Sequence, residues 1–132
     1  MQALYTITQL TEEFGVTTRT LRFYEAEGML APVRRGRQRL FRAADRTRLN
    51  LILRGKRLGF SLAEIRDIVD MYGKAPGEAG QLNLLLARIA ERRADLLEKR
   101  RDIELTLSEL DVVEQGCHDR LGQLDGAKRE AS

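Results

Sequence analysis

The sequence predicts a mainly α-helical chain, with a small head that carries a short β-hairpin and one long C-terminal helix. Three observations carry this. Two short helical segments meet at Gly15, an arginine-rich stretch with a central glycine follows them, and apolar residues recur every seven positions from Leu82 onward. A helix exposes one face every 3.6 residues and a strand every two, so these periods separate the elements.

Thr6 can cap a first helix whose apolar positions Ile7, Leu10 and Phe14 have helical spacing, and Gly15 can end it in the left-handed conformation. Thr17 can cap a second helix that runs through about Glu25 and closes at Gly28. Two short helices joined by a tight turn form a helix-turn-helix. Pro32 then keeps its surroundings out of helix, and Val33 and Leu40-Phe41 flank Arg34-Arg35-Gly36-Arg37-Gln38-Arg39. That pattern reads as a hairpin with an arginine-rich tip, the wing of a winged helix-turn-helix. A third helix starts at Ala44, with Leu49, Ile52 and Leu53 on one face, and ends at Gly59. A fourth starts at Ser61 with Glu64 completing a capping box, buries Leu62, Ile65, Ile68 and Val69, and ends near Tyr72.

Residues 73–80 hold three glycines and a proline and read as a hinge. Residues 81–115 then form the dimerisation helix, on which Leu82, Ile89, Leu96, Ile103 and Leu110 lie seven apart, with Leu85, Leu86 and Leu107 beside them. In the middle of the helix Arg92, Arg93, Lys99 and Arg100 replace the second apolar position. A narrow seven-residue stripe needs a partner helix. About 30 residues of helix would reach about 45 Å, longer than so small a head can cover, so the favoured partner is a second copy. An antiparallel pair would place each apolar end near the other chain. Residues 116–132, with Gly122 and Gly126, read as a short loose tail.

Charge divides along the chain. Residues 1–72 carry 13 Lys/Arg against 8 Asp/Glu, whereas residues 73–132 carry 10 against 12. Between residues 34 and 57, ten basic side chains have only Asp45 among them, so nothing near in sequence neutralises them. Such a field attracts the phosphates of double-stranded DNA. No signal peptide or membrane-length apolar run is present, and the single cysteine forms no intrachain disulfide. These features place the protein in a cytoplasmic compartment away from membranes. One His, one Cys and no phosphate loop argue against an enzyme and call for no cofactor. Cys117 and His118 are the only soft metal ligands, too few for a closed site in one chain, and Arg120 beside Cys117 leaves a thiol-redox role open.

The segments Tyr5–Leu10 and Gly15–Leu30 resemble the first signature of the MerR family of transcription regulators, and Leu58–Ile68 is similar to its second. The resemblance spans roughly residues 4–115. It implies a homodimer joined by an antiparallel coiled coil, with two heads on an inverted repeat. It also implies that the dimer bends and untwists an overlong promoter spacer for RNA polymerase. The run Leu51–Arg66 resembles the LiuR-like subgroup, which controls catabolic genes. The family's drug sensors add a large C-terminal domain, and the pattern after residue 115 leads us to expect none of that size here.

On this reading Thr17, Thr18, Arg19 and Arg22 lie on the recognition helix, with Thr18, Arg19 and Arg22 toward bases and Tyr24 reaching a phosphate; a core ring is the equal alternative for Tyr24. Arg35, Arg37 and Arg39 of the wing grip the backbone or a minor groove, with Arg34 and Arg42 beside them. Arg54 and Arg57 are candidates for phosphate, or they simply cover the exposed side of their helix. A chaperone-modulating adaptor and a nonspecific architectural DNA binder are the other classes the sequence leaves open.

Overall fold

A computed structural model describes residues 3–72, 74 and 77–131. The chain divides into two compact units, Met1–Ala90 and Glu91–Ser132. In order, the elements are β1 (Leu4–Thr6), α1 (Ile7–Phe14), α2 (Thr18–Ala26), β2 (Val33–Arg35), β3 (Gln38–Arg42), α3 (Ala43–Leu58), α4 (Leu62–Asp70) and α5 (Glu78–Ala131).

The helix boundaries follow local chemistry. Thr6 accepts from the Gln9 backbone N–H while the Gln9 side chain accepts from Thr6 N–H at 2.8 Å. Ser61 and Glu64 form the same reciprocal cap on α4. Gly15 and Gly59 end α1 and α3 at φ of 65° and 85°, where a Cβ would be strained.

The sheet has the order β1-β3-β2 and is antiparallel throughout, with Tyr5 opposite Phe41 and Val33 opposite Leu40. Gly36, at φ 62°, takes the first position of a two-residue turn with Arg37, so the wing tip is shorter than the six residues expected. β1 had no counterpart in the sequence reading. It makes β3 a central strand and fixes the wing base to the start of α1.

The core of the first unit is built on Leu10, Leu21, Phe41, Leu49 and Ile52, all fully buried, with Met29, Leu30, Phe60, Ile65 and Val69 around them. Each such side chain contributes about 1.5–3 kcal/mol of burial. Leu62 does not join the stripe expected of α4: it is an exposed residue of the first turn.

Asp45, the lone acid of the basic stretch, is the one charged residue buried in the described core, at 1% exposure. Its Oδ1 accepts from Ala31 N–H at 3.1 Å and its Oδ2 from Arg42 N–H at 3.2 Å, with Arg48 at 3.5 Å. One carboxylate thus ties both ends of the wing to the start of α3. Asp45→Ala removes the acceptor shared by two part-buried backbone donors and is expected to cost about 2–4 kcal/mol in equilibrium urea unfolding, with Asp45→Asn intermediate.

α5 corrects two expectations. Glu78, Ala79 and Gly80, assigned to the hinge, are already helical, while Gly73, Ala75 and Pro76 lie outside the described residues. The loose tail from residue 116 is instead helix through Gly116, Gly122 and Gly126 to Ala131. In the first unit Gln81 Nε2 donates to the Ile68 carbonyl at 3.1 Å, Arg88 meets Asp67 at 3.4 Å, and Ile89 packs on the core. Ile89, expected in the dimer seam, therefore serves its own head, and Leu85 lines a small apolar hollow with it. On the rest of the helix, Leu82, Leu86, Leu96, Ile103, Leu107 and Leu110 are exposed.

Candidate nucleic-acid interface

α2 turns Leu21 and Tyr24 into the core, which leaves Thr18, Arg19 and Arg22 on its exposed face. Thr17 has a local task. Its Oγ1 accepts from Thr20 N–H at 3.2 Å and lies 3.0 Å from Thr20 Oγ1, so it caps the helix that presents the arginines. Arg19 and Arg22 make no ion pair among the described residues. Their guanidinium groups are three residues apart on one helical face, the placement needed for bidentate donation to base edges.

Tyr24, expected at a phosphate, is 3% exposed; its ring is a core ring, as the alternative reading had it. Burial pushes its hydroxyl pKa up, so the phenol stays protonated. The exposed aromatic is its neighbour Phe23, which stands edge-on to Tyr24 with ring centroids 5.5 Å apart. Nothing in the helical period singled out Phe23, because its position falls between the buried stripe and the polar face.

On the wing, Arg34, Arg35 and Arg37 are exposed and make no ion pair among the described residues. Arg39 differs: its Nε donates to Glu25 of α2 at 2.9 Å, with both side chains about three-quarters covered. It braces the wing against the recognition helix. Two further arginines of the basic stretch also meet carboxylates, one distant in sequence and one local. Arg46 pairs with Glu13 of α1, holding that carboxyl below its ordinary pKa, and lies 5.9 Å from the Tyr5 and Phe14 ring centres. Arg48 faces Asp45 and the Tyr72 ring. The expectation that the basic stretch is unneutralised therefore fails for Arg39 and Arg46, whose partners are distant in sequence, while Arg48 is paired by Asp45, the one acid within the stretch. Arg42, Arg54, Lys56 and Arg57 remain exposed.

Among the described residues no group of three or more His, Cys, Asp or Glu is placed to hold a metal. Cys117 is an exposed free thiol on α5. Its neighbour His118 points about 100° away around the helix, so the two do not converge. No helix among the described residues is long and apolar enough to cross a membrane.

Most of the chain is similar to regulators of one kind. Residues 5–72 match the family described as MerR HTH family regulatory protein, and residues 46–113 match the one described as MerR, DNA binding. A mercuric resistance operon regulatory protein of Pseudomonas fluorescens is 35% identical over 114 residues, covering 83% of this chain and 74% of that protein. Among solved structures, a MerR family regulator from Bacillus cereus superposes with a TM-score of 0.63 at 28% identity, covering 83% of this chain and 78% of that one. HiNmlR, described as a MerR family regulator lacking the sensor domain and bound to promoter DNA, superposes with a TM-score of 0.60 at 26% identity, covering 86% of this chain and 92% of that one. With its winged head, its unpaired arginines and these matches, the chain belongs to the MerR family of helix-turn-helix, DNA-binding transcriptional regulators.

Proposed function

We propose that the protein acts in the cytoplasm as a homodimer whose two heads bind an inverted repeat in a promoter spacer and distort it, altering access by RNA polymerase. The observation that carries this is the set of exposed groups on α2 and the wing, elements joined by Arg39–Glu25: Thr18, Arg19 and Arg22 on the one and Arg35 and Arg37 on the other, the arginines making no ion pair among the described residues. Arg19 and Arg22 read bases, while Arg35, Arg37, Arg54 and Arg57 take phosphates. Smoothly bending a site of about 20–30 base pairs costs about 1–6 kcal/mol, and two wings supply contacts that offset it. Control of catabolic genes rests on the resemblance of Leu51–Arg66 alone.

Self-association is supported by the exposed seven-residue stripe and by how charge is laid out along α5. Residues 88–101 carry six Lys/Arg against three acids, whereas residues 102–119 carry six acids and no Lys or Arg. Antiparallel pairing sets the basic half of one helix on the acidic half of the other; parallel pairing sets like on like. The uninterrupted helix also brings Cys117 and Leu124 into the same series as Ile103 and Leu110, so the apolar stripe reaches past residue 115.

The test is a footprint on DNA upstream of the gene and its neighbours at two salt concentrations. A protected inverted repeat across a promoter spacer, still protected at the higher salt, is the expected result. Diffuse protection lost with salt would identify a nonspecific binder, and no protection would favour the chaperone-modulating adaptor. Unchanged curvature of the bound DNA would rule out distortion.

Glu25→Ala separates two effects of opposite sign. Removing a negative charge from the DNA-facing side should tighten binding, whereas freeing Arg39 leaves the wing to be ordered on binding. We expect the second to win and operator affinity to fall about threefold in fluorescence anisotropy, the cost of immobilising one long side chain.

A further inference from the structure

Beside the recognition helix lies an open cleft of about 490 Å³, within the size range of small-molecule sites. α2 forms one wall through Thr17, Thr20, Phe23 and Tyr24, and the α3–α4 corner forms the other through Phe60, Leu62 and Ile65. Two features set it apart from a surface made only for phosphates. Its lining is mainly apolar, with Phe23 and Leu62 left exposed at the rim although both are large hydrophobic side chains. Its only charges are cations: Arg19 and Lys56 line it, no carboxylate does, and neither cation makes an ion pair among the described residues.

A phosphate would use the two cations and gain nothing from the aromatic and aliphatic walls. A neutral hydrocarbon would use the walls and leave both cations without a counter-charge. A molecule that satisfies both has an apolar body and a single anionic head. We propose that this cleft binds a small organic carboxylate with an aliphatic or aromatic body of about ten non-hydrogen atoms, its carboxylate held by Arg19 and Lys56 and its body laid against Phe23, Phe60 and Leu62.

The regulatory consequence rests on the function proposed above. Arg19 cannot hold the carboxylate and reach a base edge together, so ligand and operator exclude one another, and the ligand releases DNA at the reading head itself. By linkage the exclusion is reciprocal: operator DNA weakens the ligand by the same factor that the ligand weakens DNA.

Binding is tested first without DNA, on the whole 132-residue chain, by backbone amide shifts during titration with octanoate, 3-phenylpropionate and, as the uncharged control, 1-octanol. Both acids are expected to give saturable shifts confined to residues 17–24 and 56–65, with a Kd on the order of 1 mM or below. The alcohol is expected to bind much more weakly. Lys56→Gln, an exposed position whose replacement leaves the core intact, is expected to weaken octanoate about tenfold, as removal of one charge-assisted hydrogen bond implies. Phe23→Ser should weaken it through the apolar wall while leaving a folded spectrum. Equal binding of alcohol and acid, shifts spread outside the cleft, or no saturation by either acid would overturn the site. Operator affinity is then measured without and with octanoate. Loss of affinity with ligand supports the exclusion, and simultaneous binding of both overturns it. A protein that binds octanoate but no DNA would overturn the proposed function and leave the ligand site standing.

Discussion

Arg22→Ala is expected to lower affinity for the operator by about 30-fold to 10⁴-fold at fixed salt, because each bidentate pair with a base is worth about 1–3 kcal/mol and a symmetric dimer forfeits two. The effect should appear as relaxed sequence preference at one base pair in each half-site, leaving binding to unrelated DNA nearly unchanged. Arg22 is exposed on α2 and makes no ion pair among the described residues, so its removal breaks no ion pair of the head. Arg37→Ala at the wing tip gives the contrasting pattern. It should weaken specific and nonspecific binding alike and reduce the salt dependence by about 0.9 for each phosphate no longer neutralised. A salt series on an operator duplex and a scrambled duplex separates the two behaviours. If Arg22→Ala weakened binding equally on both duplexes, Arg22 would be a phosphate contact and the base-reading assignment would be wrong.

Ile103→Asp should separate the dimer and lower operator affinity about 10²-fold to 10⁴-fold, the drop expected when two linked half-site contacts become independent. Ile103 is 60% exposed in the single chain and lies in the second unit, so the substitution puts a charge on the seam without touching the head's core. Amide spectra of the head should therefore be preserved, while sedimentation should report a monomer. Ile103→Leu is the control and should stay dimeric. A monomeric wild-type protein, or an Ile103→Asp variant that remains a dimer, would remove the seam from consideration and return the stripe to some other partner.

The head was legible in the sequence because each of its boundaries is set locally. Thr6 with Gln9, Gly15, Thr17, Gly59, and Ser61 with Glu64 carry their capping chemistry within one helical turn, so reading along the chain suffices. What escaped depends on residues far apart in sequence. Leu4-Tyr5-Thr6 has no strand signature in three residues and becomes β1 only because Phe41 and its neighbours offer an edge. Glu25 and Glu13 lie 14 and 33 residues from Arg39 and Arg46, and Asp45 lies 14 residues from the Ala31 N–H that it accepts from, so only the fold brings these partners together. The C-terminal segment was misread for a different reason. Gly116, Gly122 and Gly126 each disfavour helix by about 1 kcal/mol relative to alanine, and that local penalty masked the continuing series through Cys117 and Leu124.

The Arg39–Glu25 brace has a consequence for the architecture of the operator. On the proposed reading, in which α2 reads bases and the wing grips phosphates, this ion pair between the two elements makes the protein set the distance between their contacts. Inserting one base pair between those two footprints moves them apart by about 3.4 Å along the duplex and rotates one away from the other. A natural operator for this protein should therefore tolerate no insertion or deletion inside a half-site.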